Sequence, residues 1–235
     1  MNPVTDLRRQ ALEDMGIDVW LLRHNSKAAG SATKGLLDAA GDENEDDWSF
    51  LQKEVQACQR CALFKSRIQT VFGSGNVRAE LLLIGEAPGA EEDRQGQPFV
   101  GKAGKLLDAM LFAIGLERDQ VYICNVLKCR PPNNRSPQPA EVESCASFLS
   151  AQIEFIKPKV ILALGRFAAH SLLQTEAPVY KMRENNNVLP GTEIPVVVTY
   201  HPASLLRNPE QKALSWQDLC KVNQLLETIA GDEGV

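Results

Sequence analysis

Four runs of consecutive apolar residues punctuate the chain: LLLIG (81–85), VYICNVL (121–127), VILALG (160–165) and VVVTY (196–200). None alternates with polar residues, so each suits a strand covered on both faces, as in a parallel sheet. Between and after them, apolar residues recur at helical spacing. The segments are GKLLDAMLFAIGL (104–116), PAEVESCASFLSAQIEFI (139–156), RFAAHSLL (166–173) and KALSWQDLCKVNQLLETIA (212–230). Pro139 suits a first helical position. This alternation predicts an α/β domain of three layers, α/β/α, around a central four-stranded parallel sheet with right-handed crossovers.

The pattern differs before Trp48. Residues 5–22, TDLRRQALEDMGIDVWLL, read as a short helix followed by an apolar hook that includes Trp20. A small, polar stretch with an acidic end follows and reads as a flexible linker. We therefore expect two parts: residues 1–47, a terminal peptide and linker, and residues 48–235, the folded domain. The length of 235 residues accommodates one α/β domain plus such a tail. No segment approaches the roughly 20 apolar residues of a membrane span, and the first residues lack the apolar centre of a secretory signal. A cytoplasmic protein with no membrane contact is the expectation.

Charge sharpens this division. Residues 1–57 hold 11 acidic and 6 basic side chains, whereas residues 58–235 hold 19 of each, within a net charge of −5. Any nucleic-acid contact by the domain must come from a local basic patch.

The carboxyl ends of the apolar runs carry the chemistry. The first leads through Gly85 to Glu86 in GEAPG, the second contains Asn125, the third reaches Gly165 and Arg166, and the fourth reaches His201. Ligands of open parallel sheets sit beyond the carboxyl ends of the strands, so four distant segments converge on one crevice. GEAPG is no phosphate loop, because it lacks Lys and its acid would repel phosphate. Phe99, in GQPFVGK, can stack a flat ligand. One amide at Asn125 can meet both N3–H and O4 of uracil and is mismatched to cytosine. His201 in TYHPASLLRNP can donate to an oxyanion on a leaving group. On the same loop Ser204, Leu205, Leu206 and Arg207 follow, where a protruding leucine would wedge into a base stack.

Six cysteines lie at 58, 61, 124, 129, 145 and 220. Cys58 and Cys61 are spaced to reach one metal site, and Cys129 and Cys145 complete four ligands. Spacing alone leaves zinc and a [4Fe–4S] cluster open. Cys124 and Cys220 read as packed core residues. The loop after Cys129 carries Arg130 and Arg135 among prolines, a basic edge suited to phosphates.

GEAPGAEEDRQGQPFVGKAGKLL, VYICNVLKCRPPNNRSPQPAEVESC, VILALGRFA and TYHPASLLRNP together resemble the family 4 uracil-DNA glycosylases, over roughly residues 48–230. The resemblance implies a [4Fe–4S] cluster on Cys58, Cys61, Cys129 and Cys145. It implies Glu86 and Ala87 in the water-activating motif and Phe99 as the stacking aromatic, with Gly85 beside it in the uracil pocket. Asn125 becomes the uracil reader, His201 the leaving-group stabiliser and Leu205 the wedge. Ser204, Arg207, Arg130 and Arg135 become DNA contacts.

The implied activity is hydrolysis of the glycosidic bond of deoxyuridine flipped from uracil-containing DNA. The better-known relatives carry Asp at the position of Ala87 and Tyr at that of Gly89. Water orientation here falls to Glu86 or to backbone groups, and exclusion of the thymine methyl to Glu91 or Glu92. A sister group that binds uracil-DNA covalently uses a histidine in a basic insertion, which this chain lacks after Cys129. LRRQALEDMGIDVWLLR resembles the terminal peptide of a bacterial clamp-loader subunit, which implies a docking peptide for a replisome protein over residues 5–25. A monomer in a bacterial cytoplasm, associated with the nucleoid, is expected. The alternative from another class is a non-catalytic nucleic-acid-binding protein bearing the cluster or zinc.

Overall fold

Each of the four apolar runs forms a strand whose residues are buried on both sides of one sheet. The computed structural model describes residues 42–232. The chain divides into two units, Met1–Asp42 and Glu43–Val235, and the fold is that of the second. The docking peptide expected over residues 5–25 lies outside the described residues.

The order begins with helix α1 (Asp42–Ala57), strand β1 (Ser74–Gly75) and strand β2 (Leu81–Gly85). Helices α2 (Ala90–Gln95) and α3 (Lys102–Ala113) lead to β3 (Tyr122–Asn125). Helix α4 (Pro139–Ile156), β4 (Val160–Leu164), α5 (Arg166–Leu173) and α6 (Val179–Glu184) follow. The chain continues through β5 (Asn187–Val188), β6 (Pro195–Thr199), α7 (Pro202–Arg207) and α8 (Lys212–Asp232).

The six strands lie in the order β1-β3-β2-β4-β6-β5. The four central strands are parallel, as expected. The two edge strands run antiparallel to their neighbours and were not expected. At two residues each they are too short to carry a periodic signature. The order reverses at β2: β3 lies on one side of it, and the next strand, β4, on the other. That reversal opens a crevice at the carboxyl ends of the central strands.

Helices cover both faces. On one face Leu82, Ile84, Tyr122, Cys124, Ile161, Ala163 and Val198 pack with α4, α5 and α6 through Leu149, Ala168 and Met182. On the other, Leu83, Ile123, Leu162 and Val197 pack with α3 and α8 through Leu107, Leu111, Leu219 and Val222. Full burial of each such aliphatic side chain contributes roughly 1.5–3 kcal/mol, so the two faces hold the sheet rigid under its strand ends. Trp48 of α1 meets Phe72, Tyr122 and Phe155 with ring centroids 5.0, 5.4 and 4.7 Å away.

The carboxyl end of β6 has its own anchor. Arg183 donates to Asp218 Oδ2 at 2.7 Å in a buried ion pair, donates to the Leu214 carbonyl, and sits 5.3 Å from the Tyr200 ring. Thr199 Oγ1 donates to Ser215 Oγ at 3.0 Å. These contacts tie α6 and α8 to the residues just before His201.

Candidate active site

Parallel pairing places Gly85 of β2 directly beside Asn125 of β3. The pairing continues past the strands, with Val126 N–H donating to the Gly85 carbonyl and Leu127 N–H to that of Glu86. A Cβ on Gly85 would lie 2.4 Å from Asn125 Oδ1 and 2.6 Å from Phe99 Cζ. Only glycine lets the amide and the ring come together there.

Phe99 is buried and holds φ at 54°, a left-handed backbone that costs a non-glycine residue about 1–2 kcal/mol. Its neighbours enforce it. Glu92 Oε1 accepts from the backbone N–H groups of Val100 and Gly101 at 3.0 and 3.1 Å, while its Oε2 accepts from Gly89 N–H at 3.1 Å. Arg118 donates to the carbonyls of Pro98 and Phe99. One carboxylate thus joins the GEAPG turn to the Phe99 loop.

His201 follows β6 as the N-cap of the short helix α7, and the residues after it, expected on a loop, form that helix. Pro202 opens that helix, and the His201 ring does the capping: Nδ1 accepts from Ala203 N–H at 3.1 Å. A neutral ring so bonded carries its proton on Nε2. Gly165, at φ 87°, would drive a Cβ to 2.9 Å from His201 Cβ, so a bare backbone there admits the histidine. Burial, with help from the positive Arg207 and against the opposing Glu92, holds the imidazole down to about 4. His201 is therefore a neutral donor near neutrality. Its ring centroid lies 5.6 Å from that of Phe99, with planes inclined 31°.

These residues share one cavity of about 420 Å³, lined by Glu86, Ala87, Glu92, Phe99, Asn125 and His201, with Asn134, Arg135 and Arg207 at its border. Asn125 is 2 % exposed, and its Oδ1 is a buried acceptor with no hydrogen-bond partner among the described residues. Such an atom calls for a donor from a ligand. Glu86 is half-buried, and burial raises its pKa above the ordinary value against the lowering charge of Arg166. A larger depression of about 590 Å³, between α4, α5 and residues 189–194, gathers none of the strand-end residues.

Several expected assignments change. Leu205 is 1 % exposed and packed in the core beneath the sheet, because the α7 turn directs it inward. It cannot be a protruding wedge as it stands; Leu206, 46 % exposed, is the leucine that points outward. Ser204 is half-buried, and its Oγ and carbonyl both accept from Asn208 Nδ2. Arg135 borders the cavity, but its guanidinium is engaged by both oxygens of Glu141. Arg130 donates to Asn134 Oδ1. Arg207 remains exposed at the rim. Of the two candidates to fill the space beside Gly89, Glu92 lines the cavity, whereas Glu91 pairs with Arg94 at the surface. The sequence reading missed Arg118 and gave Arg166 no role.

Cys58, Cys61, Cys129 and Cys145 line a second, largely enclosed cavity together with Phe64, Arg67 and Phe148. Arg67 Nη1 donates to Cys129 Sγ at 3.0 Å, Arg60 N–H to Cys58 Sγ at 3.5 Å and Lys128 N–H to Cys145 Sγ at 3.4 Å. Burial raises the Cys129 thiol to about 11 and the Cys145 thiol likewise upward, an effect that a bound metal would oppose by favouring thiolate. Among the described residues no three His, Cys, Asp or Glu side chains could hold one metal ion. The quartet lines one small cavity, with N–H donors aimed at three of its sulfurs. That donor set fits an iron–sulfur cluster. Cys124 is wholly buried in the sheet core.

The crevice at the strand ends of this single sheet brings together a buried amide oxygen without a partner among the described residues, an aromatic ring and a neutral histidine. The chain belongs to the uracil DNA glycosylase superfamily, whose family model matches residues 72–223. Within it the relatives are specific. The type-4 uracil-DNA glycosylase of Archaeoglobus fulgidus is 43% identical over 194 residues, covering 78% of this chain and 94% of the relative. Those of Sulfurisphaera tokodaii and Thermotoga maritima are 42% and 41% identical, each covering 78% of this chain and 86% and 96% of the relative.

Nitrogen-edited NMR of the His201 ring tests its assigned state. The expected spectrum is that of the neutral Nε2–H form down to a titration at about 4. Because the folded state binds this proton more weakly than the unfolded one, stability should fall as pH drops from about 6.5 toward that value. A midpoint near 6.5 would contradict the buried, capped ring.

Proposed function

We propose that the protein is a monofunctional uracil-DNA glycosylase that removes uracil from DNA and leaves an abasic site. The observation that carries this is the buried, unpartnered Asn125 Oδ1 in a cavity shared with Glu86, Phe99 and His201. Uracil flipped from the stack enters beside Phe99. Asn125 Oδ1 accepts from N3–H while Nδ2 donates to O4. Glu92 fills the space beside Gly89, where a thymine methyl would intrude.

The C1′–N1 bond breaks with both electrons going to the base. The growing negative charge at O2 receives the Nε2–H of neutral His201, which stabilises a uracil anion without transferring a proton. Glu86, at the end of β2 in the same cavity, has a carboxylate that stabilises the cationic sugar and takes the proton of the attacking water; Ala87 offers only backbone groups. The oxygen of that water bonds to C1′. Among the described residues no lysine lines the cavity, which supports simple hydrolysis without a Schiff-base lyase step.

Leu206, rather than Leu205, takes the wedge role, with Arg207, Arg130 and the surrounding loop meeting phosphates. Cys58, Cys61, Cys129 and Cys145 would hold a [4Fe–4S] cluster. When bound, it supplies a rigid staple between the end of α1, the segment after β3 and α4. Residues 5–25 act as a docking peptide for a replisome protein, and the enzyme works as a monomer.

Incubation with a single-uracil oligonucleotide, followed by alkali, tests the activity. Strand scission is expected. His201→Ala should lower the rate roughly 10²–10³-fold. Asn125→Ala should cost at least about tenfold. Leu206→Ala should slow duplex substrates roughly tenfold. Binding without scission would instead establish the non-catalytic alternative.

The pH profile tests Glu86. Its raised pKa places the acid limb of kcat/KM above the ordinary glutamate range. Since Arg166 lowers that pKa, Arg166→Ala should move the limb to higher pH. An unmoved limb would remove Glu86 from the proton-accepting role. A separate pull-down with residues 1–30 deleted should lose binding to replisome proteins, and unchanged binding would end the docking proposal.

A further inference from the structure

The largest fully buried side chain among the described residues is a lysine. Lys128 is 1 % exposed and lies between the uracil-reading strand and the thiol quartet. Its Nζ donates to the backbone carbonyl of Asn125 at 2.7 Å and to Gln152 Oε1 at 2.5 Å. Gln152, also wholly buried, donates onward to the Phe72 carbonyl at 2.9 Å.

These two acceptors are neutral, and the third partner is the sulfur of Cys124, wholly buried in the sheet core. Among the described residues no carboxylate forms an ion pair with Lys128. A buried ammonium without an anion is strongly disfavoured. The groups within reach that can carry negative charge are sulfurs: Lys128 lines the same cavity as the four cysteines, and its backbone N–H points at Cys145 Sγ at 3.4 Å. Four thiolates around an iron–sulfur cluster form a net anionic group, which supplies the missing counter-charge.

We propose that Lys128 is a positioning residue joining the two centres: its ammonium compensates the anionic cluster and at the same time holds the carbonyl of Asn125. The carbonyl and the side chain of Asn125 leave the same Cα, so holding the carbonyl fixes the Cα–Cβ direction from which the amide is aimed. The set of the uracil-reading amide thereby depends on the cluster's charge. This rests on the glycosylase reading of Asn125.

The test uses the full chain carrying its cluster, with two single variants. Lys128→Met keeps length and removes charge. Gln152→Glu keeps packing and gives the ammonium a carboxylate of its own. In a redox titration the cluster midpoint should move to more negative potential in both, because a lost or neutralised cation no longer favours the added electron. In single-turnover assays Lys128→Met should slow uracil release roughly tenfold, the scale of one charge-assisted hydrogen bond. That loss should vanish in an Asn125→Ala background, since the two act as one unit.

An unchanged midpoint in both variants, or losses at Lys128 and Asn125 that multiply, overturns the proposal. If Lys128→Met does not fold, the midpoint of Gln152→Glu decides. Undiminished activity of Asn125→Ala would instead remove the uracil-reading role of Asn125, and the coupling with it, while leaving the midpoint shift standing.

Discussion

The bare backbone at Gly85 is the constraint on which the pocket depends. Parallel register puts it beside Asn125, and the missing side chain is the space in which the Asn125 amide and the Phe99 ring meet. The positive φ at Phe99, the grip of Glu92 on two loops and the two donations from Arg118 all serve to bring an aromatic into that space. Strain in a loop is tolerable only where neighbours over-determine it, and here they do.

Two ionisable groups are pushed in opposite directions across the same cavity. Burial keeps His201 neutral, with a hydrogen-bond donor at Nε2, and raises the pKa of Glu86 against the charge of Arg166. The capping bond from Ala203 decides which ring nitrogen faces the pocket. A six-residue helix thus has a chemical role: it sets a tautomer.

Much of this was legible in the residues. Continuous apolar runs gave the four central strands, and the polar residues at their ends, Glu86, Asn125 and His201, pointed to a crevice that the structure supplies. The helices over 139–156 and 166–173 agree with their periodicity to the residue. What escaped was set by tertiary contact. The edge strands are two residues long. Leu205 and Leu206 are chemically identical neighbours, and only the α7 turn separates the buried one from the exposed one. Arg135 reads as a free cation until Glu141, six residues on, is seen to hold it. Lys128 left a signal, a lone charge within VYICNVLKC, whose meaning depended on knowing that the segment is buried.

The central claim is that Glu86, Phe99, Asn125 and His201 form one receptor for uracil. A crystal structure with free uracil bound tests it most directly. The account predicts the base against Phe99, N3–H and O4 on the Asn125 amide and O2 on His201 Nε2. Uracil bound elsewhere, or turned so that neither Asn125 nor His201 touches it, would contradict it.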